Sequence, residues 1–145
     1  KHFVWLREPL VRDVSHFNYD CKFGNELSKD FTTHLSSMSG NFITLWLYGK
    51  YLGKHDSVSM EYRYDAVRDT LKNKFTKVYD TKNFDKDWKE IAKMLNVSEK
   101  PLLKSNQADK DYNTVQKYSD LSEQFKNWHR SYNNYDYKLY EEFCT

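Results

Sequence analysis

Flexible and cross-linking residues are scarce in this chain of 145 residues, which contains four glycines, two prolines and two cysteines. The glycines stand far apart at positions 24, 40, 49 and 53, so the sequence has no glycine-rich loop of the kind that cradles phosphates. It also has no run of about 18 apolar residues, the length that crosses a membrane. The sequence therefore predicts no phosphate loop and no transmembrane segment.

Strong charge of one sign is missing as well. The chain carries 23 basic and 21 acidic residues, a near balance that argues against a nucleic-acid-binding protein. There is no Cys-x-x-Cys pair, and the five histidines are dispersed, so we predict no metal site. Cys21 and Cys144 are compatible with a disulfide or with two thiols, and their spacing does not decide between them.

Aromatic residues are abundant instead, with twelve tyrosines, nine phenylalanines and four tryptophans. This content and the length predict one domain with a sizeable core. The opening stretch predicts a buried strand that ends at Arg7, followed by a helix in which Pro9 takes the first position. The apolar face of that helix is spaced as in an amphipathic helix, with Leu10, Val14, Phe17 and Cys21.

The next segments alternate between helices and strands. We expect a helix over 26–37 after a stop at Gly24, and a long helix capped at 56–57 with Met60, Tyr64, Val67 and Leu71 on its inner face. Residues 40–49 fit a buried strand or a core helix with Asn41 as its N-cap, and periodicity does not separate these alternatives.

The second half repeats the strand-to-helix order. Residues 75–80 alternate as a strand, and the helix after them has Phe84, Trp88, Ile91 and Leu95 on its inner face. Two further helices are expected over 119–132, with Leu121, Phe125 and Trp128 inward, and over 134–143, with tyrosine hydroxyls at the surface. The order predicts an α/β fold with a parallel sheet.

Arg7 is the first candidate for a binding residue. Ligands of α/β sheets bind beyond the carboxyl ends of the strands, where Arg7 is expected. A guanidinium group has a planar fork suited to phosphate, and Ser15, eight positions later on the helix, offers a hydroxyl for the same group.

The stretch Leu6-Arg7-Glu8-Pro9, followed by Ser15-His16-Phe17, resembles the 3′-phosphate-binding segment of sulfotransferases that use 3′-phosphoadenosine 5′-phosphosulfate (PAPS). Residues 78–97, 101–106 and 135–143 are similar, in the same order, to later segments of Golgi-type carbohydrate sulfotransferases. Residues 41–49 also look like a segment of these enzymes, although Leu45 stands where many of them have an arginine.

The resemblance implies a partial, helix-rich version of the three-layer, P-loop-like sulfotransferase fold, with residues 1–145 as one domain, its C-terminal part. It implies sulfuryl transfer from PAPS to an acceptor hydroxyl, on a carbohydrate, in the Golgi lumen or secretory pathway; the sequon Asn96-Val97-Ser98 fits that location. Arg7 and Ser15 would bind the nucleotide, and Lys104 and Lys110 are further phosphate contacts or solvated loop lysines.

The family's 5′-phosphosulfate loop and general base lie upstream of the segments that this chain matches. Glu8 and His16 stand near the expected nucleotide, but Glu8 is explained more simply as an ion partner of Arg12. Catalytic residues are therefore not assigned. The alternative is a non-catalytic or degenerate binding module that lacks the phosphosulfate loop.

Overall fold

The computed structural model describes residues 1–23, 30–53, 57–99 and 115–144. In these ranges the chain forms seven α-helices and two strands. In chain order they are β1 (Phe3–Leu6), α1 (Pro9–Phe23), α2 (Phe31–Ser37), α3 (Phe42–Tyr51), α4 (Met60–Lys74), β2 (Lys77–Asp80), α5 (Phe84–Leu95), α6 (Glu123–Tyr132) and α7 (Asn134–Cys144). Short 3₁₀ turns cover Thr81–Asn83 and Tyr118–Asp120.

The two strands pair in parallel, with Phe3 opposite Lys77 and Leu6 opposite Asp80. The carboxyl ends of β1 and β2 therefore meet at one edge of the sheet. A helix-rich α/β chain with a parallel sheet was predicted, and the structure agrees with this coarse description. β1 is less buried than expected, because Leu6 alone of its four residues is fully covered.

Two apolar clusters hold the helices. The first joins the sheet to α3, α4 and α7, and the second joins α1 to α2 with side chains of the α6 region packed against it. In α1, Pro9 is the first helical residue and Leu10, Val14 and Phe17 are buried, as predicted. Burial of these apolar side chains is the main stabilising contribution of each cluster.

Several predicted boundaries need correction. α4 begins at Met60, with Ser59 rather than residues 56–57 as its cap, because the Ser59 hydroxyl accepts the Tyr62 N–H at 3.2 Å. α2 begins at Phe31, where Asp30 accepts the Thr33 N–H at 2.8 Å. The predicted start of that helix and the stop at Gly24 lie outside the described residues.

Two predicted core residues are exposed. Leu95 lies in the last turn of α5, just before Asn96 adopts a left-handed conformation (φ 53°) and ends the helix. Trp128 stacks on Tyr132 at the surface, with ring centroids 5.3 Å apart, while its neighbour His129 is fully buried. The amphipathic pattern predicted both helices, and Ile91 of α5 is buried as expected, but it wrongly placed Leu95 and Trp128 in the core.

Residues 42–51 form a helix, α3, which settles the alternative that periodicity left open. Asn41 occupies the N-cap position, yet its side chain caps α7, accepting the N–H groups of Tyr135 and Asp136 at 2.9 and 3.3 Å. Asp136 in turn caps α3, accepting the N–H groups of Ile43 and Thr44 at 2.8 Å each. The Thr44 hydroxyl donates to the same carboxylate at 2.7 Å. The two helices thus cap each other.

This reciprocal cap is buried. Asp136 and Thr44 have no exposed surface, and burial raises the pKa of Asp136 while the Thr44 and Ile43 hydrogen bonds oppose that rise. Gly40 allows the close approach, because a Cβ there would lie 2.8 Å from the Tyr132 carbonyl oxygen.

We expect Asp136→Ala to lower the free energy of unfolding by about 3 kcal/mol, because it leaves buried donors of α3 without an acceptor. Chemical denaturation monitored by circular dichroism measures this change. Asp69→Asn, an exposed aspartate on α4, is the matched control and should have little effect. Equal effects of both substitutions would contradict the assigned role of the cap.

Candidate functional site

The candidate site lies at the carboxyl edge of the sheet, where sequence analysis placed it. Arg7 follows β1 and Thr81 follows β2, and the Arg7 Nε donates a hydrogen bond to the Thr81 hydroxyl at 3.3 Å. In the described parts of the chain Arg7 forms no ion pair with a carboxylate, and it is exposed. Its charge is therefore available to an anionic ligand.

A cavity of about 290 Å³ opens beside Arg7, between β1 and α3. Its walls are mostly apolar, and they come from both strands' ends, from α1 and from the first half of α3. The lining residues are Val4, Trp5, Leu6, Arg7, Arg12, Phe42, Ile43, Trp46, Leu47 and Thr81. Apolar and aromatic walls with a few fixed polar groups are typical of small-molecule sites.

Arg12 is the second cation of the cavity, and it differs from Arg7 in its surroundings. Its guanidinium lies 4.3 Å from the centre of the Phe42 ring and pairs with the carboxylate of Asp13. The predicted partner, Glu8, instead accepts the Val11 N–H at 2.7 Å and caps α1. The prediction of a Glu8–Arg12 ion pair is therefore wrong, because Glu8 is engaged by the helix N-terminus.

Ser15 is exposed on α1. Of the two predicted nucleotide-binding residues, Arg7 lines the cavity and Ser15 is outside the described lining. Arg12, which the sequence analysis treated only as an ion partner, lines it instead. Arg12 and Ser15 are three residues apart and are neighbours on the helix surface, so their spacing did not show which of them lines the cavity.

Asp80 ends β2 beside this edge and is buried. Its carboxylate accepts the Tyr140 hydroxyl at 2.6 Å, the Lys82 Nζ at 2.8 Å and the Lys82 N–H at 3.0 Å. Burial tends to raise the pKa of Asp80, but these hydrogen bonds outweigh it and hold the pKa below its ordinary value. Burial, with Asp80 as acceptor, raises the pKa of Tyr140.

A second buried polar group joins α1, α6 and α7. His129 lies 2.8 Å (Nε2) from an Asp13 carboxylate oxygen and 3.2 Å (Nδ1) from the Tyr137 hydroxyl, and Asn133 contacts the same ring. Burial raises the pKa of Tyr137, and Glu8 adds to the rise. His129 has no exposed surface, so a substrate has no access to it, and we interpret the group as structural.

The tyrosines of α7 thus correct the sequence analysis, which expected their hydroxyls at the surface. Tyr137 and Tyr140 bury their hydroxyls against His129 and Asp80. The Tyr137–His129 contact joins residues 8 apart, and the Tyr140–Asp80 contact joins residues 60 apart. Helical periodicity could not reveal the contact between Tyr140 and Asp80, because it reports only local spacing.

The two cysteines are not joined by a disulfide. The Cys144 thiol contacts the Tyr79 carbonyl oxygen at 3.5 Å, and burial raises its pKa to about 12. A thiol with such a pKa is protonated at neutral pH, so Cys144 is not a nucleophile there. Lys104 and Lys110, the other proposed phosphate contacts, lie outside the described residues.

Comparison with known proteins identifies no relative: no family model, curated protein or solved structure matches the chain. In the described ranges no helix combines the length and the apolar character needed to span a bilayer.

Asp80 makes stability depend on pH. Because its pKa is lower in the folded chain, it contributes stability that is present above its unfolded value, near 4, and is lost as the pH falls through the folded value. We expect Asp80→Asn to lose less stability than the native chain between pH 5 and pH 2, about the range in which aspartates titrate, as measured by urea denaturation. Asp65→Asn, at an exposed position on α4, is the control. An Asp80→Asn profile parallel to that of the native chain would contradict this assignment.

Proposed function

We propose that the cavity at the sheet edge binds the 3′-phosphate end of PAPS, and that the chain is the C-terminal part of a sulfotransferase acting on a carbohydrate hydroxyl. The observation that carries the proposal is Arg7, a cation without a carboxylate partner in the described residues, at the mouth of an apolar cavity beyond two parallel strands. The resemblance of residues 6–17 to the 3′-phosphate segment supplies the identity of the anion.

The geometry suits an anionic ligand such as a phosphate better than a neutral ligand. The Arg7 Nε donates to the Thr81 hydroxyl, which leaves the two terminal amino groups of Arg7 for other partners. They face no acceptor among the described residues, and they can bind two oxygens of one anion. Phe42 and Trp46 offer aromatic surface to a base or a sugar. At about 290 Å³ the cavity is at the lower end of ligand sites, which fits part of a nucleotide better than all of it.

In the reaction, the acceptor oxygen attacks sulfur, the bond from sulfur to the 5′-phosphate oxygen breaks, and the acceptor proton passes to a base. This chain's contribution is to hold the nucleotide through Arg7, so that donor and acceptor meet in line. Positive charge near the leaving bisphosphate also favours cleavage of the bond from sulfur to oxygen. The base is not assigned to a residue of this chain, and Ser15 stays a proposed second contact.

A luminal location, in the Golgi or secretory pathway, is part of the same proposal. Asn96 of the sequon is exposed at the end of α5, where its left-handed backbone closes the helix. An oligosaccharide there would extend into solvent.

The test is calorimetric titration of the chain with 3′-phosphoadenosine 5′-phosphate and with adenosine 5′-phosphate. We expect tighter binding of the 3′-phosphorylated nucleotide and a loss of about 1.5–3 kcal/mol, or roughly 10- to 100-fold in affinity, in Arg7→Ala. Ser15→Ala tests the serine and should cost about 1 kcal/mol if its hydroxyl binds the phosphate.

Arg130→Ala is the matched control, because Arg130 is an exposed arginine on α6 that pairs with Glu141. It should leave the affinity unchanged. Equal affinity for the two nucleotides, or an unchanged affinity in Arg7→Ala, would contradict the proposal and favour the non-catalytic binding module.

A further inference from the structure

Three side chains with metal-binding atoms meet where α1 packs on α2. His16 and Asp20 lie one turn apart on α1, and His34 comes from α2. One ligand atom of each lies within 4.8 Å of the other two, and the His16 Nε2 is 3.6 Å from an Asp20 carboxylate oxygen. The sequence analysis predicted no metal site because these histidines are 18 residues apart, and the fold brings them together.

We propose that His16, Asp20 and His34 bind a divalent transition metal, and that zinc is the metal they suit best. Imidazole nitrogen and carboxylate oxygen are both common zinc ligands, whereas magnesium and calcium prefer oxygen alone. The donor set of two histidines and one aspartate therefore selects the class of cation.

The geometry needs a small adjustment to hold zinc. Bonds of about 2.0–2.1 Å in a tetrahedral site place ligand atoms roughly 3.4 Å apart. His16 and Asp20 are already near that separation, at 3.6 Å. The remaining ligand atoms lie within 4.8 Å of one another, so a closure of at most about 1.4 Å completes the site.

Packing holds one ligand, His34, in the core and leaves another, His16, exposed to solvent. His34 is buried, with its ring centroid 5.2 Å from that of Phe17 in the second apolar cluster. The His16 side chain is 47% exposed, and its ring lies 5.9 Å from that of His34. A half-exposed imidazole can rotate toward the metal and leaves a coordination position for water.

The i, i+4 spacing of His16 and Asp20 explains the contact between these two residues without a metal. His34 of α2 is held beside them by its packing on Phe17, and its ring supplies the third donor of the group. A bound metal gives all three one role, and it would fix α2 on α1. The site does not rest on the proposed nucleotide binding, since neither histidine lines the cavity in the described structure.

The experiment is titration of chelator-treated protein with Zn²⁺ by calorimetry, and with Co²⁺ by its visible d–d absorption. We expect one metal per chain, and a fall in affinity of about 100-fold or more in His16→Gln, in Asp20→Asn and in His34→Gln. His2→Gln is the matched control, because His2 is an exposed histidine outside the cluster, and its affinity should not change.

Zinc should also raise the melting temperature of the native chain, because a ligand that binds only the folded state stabilises it. His16→Gln removes an exposed side chain and tests the site even if the buried His34 variant fails to fold. The proposal is overturned by three outcomes: no metal binding, binding retained in His16→Gln, or binding lost in His16→Gln and Asp20→Asn but retained in a folded His34→Gln.

Discussion

The reciprocal cap between α3 and α7 is the interaction on which the rest of the structure depends. Each helix begins against the other, with Asp136 on the first N–H groups of α3 and Asn41 on those of α7. The unsatisfied donors of a helix N-terminus are costly when buried, and here both sets are satisfied by one pair of side chains. Any shift of one helix against the other would break both caps together.

That constraint positions the sheet edge. α3 supplies one wall of the cavity through Phe42 and Trp46, while α7 reaches β2 through the Tyr140–Asp80 hydrogen bond of 2.6 Å. The end of β1 thus meets α3 in the cavity wall, and the end of β2 is bonded to α7 through Asp80. Because Asp80 is buried and accepts three hydrogen bonds, the turn that carries Thr81 is fixed, and with it the anchor of Arg7.

Local patterns predicted the parts of the fold that local physics decides. Pro9 and the face of Leu10, Val14 and Phe17 were sufficient for α1, and alternation was sufficient for β2. The caps and buried polar groups were missed because their partners are distant: Asp136 and Ile43 are 93 residues apart, and His129 and Asp13 are 116 apart. An aspartate in a helical pattern looks the same whether it faces water or a buried helix end.

The same limit, that sequence patterns reveal local contacts only, explains which residues of the site could be predicted. Chain spacing fixed Arg7 at the end of β1, since a strand end has one position, but it could not decide which turn of α1 faces the cavity. Arg12 does, and yet its charge is compensated by Asp13. Of the two cations in the described lining, Arg7 alone forms no ion pair with a carboxylate of the described residues. The proposed binding of an anion therefore depends on Arg7, whereas Arg12, placed against Phe42, mainly shapes the wall of the cavity.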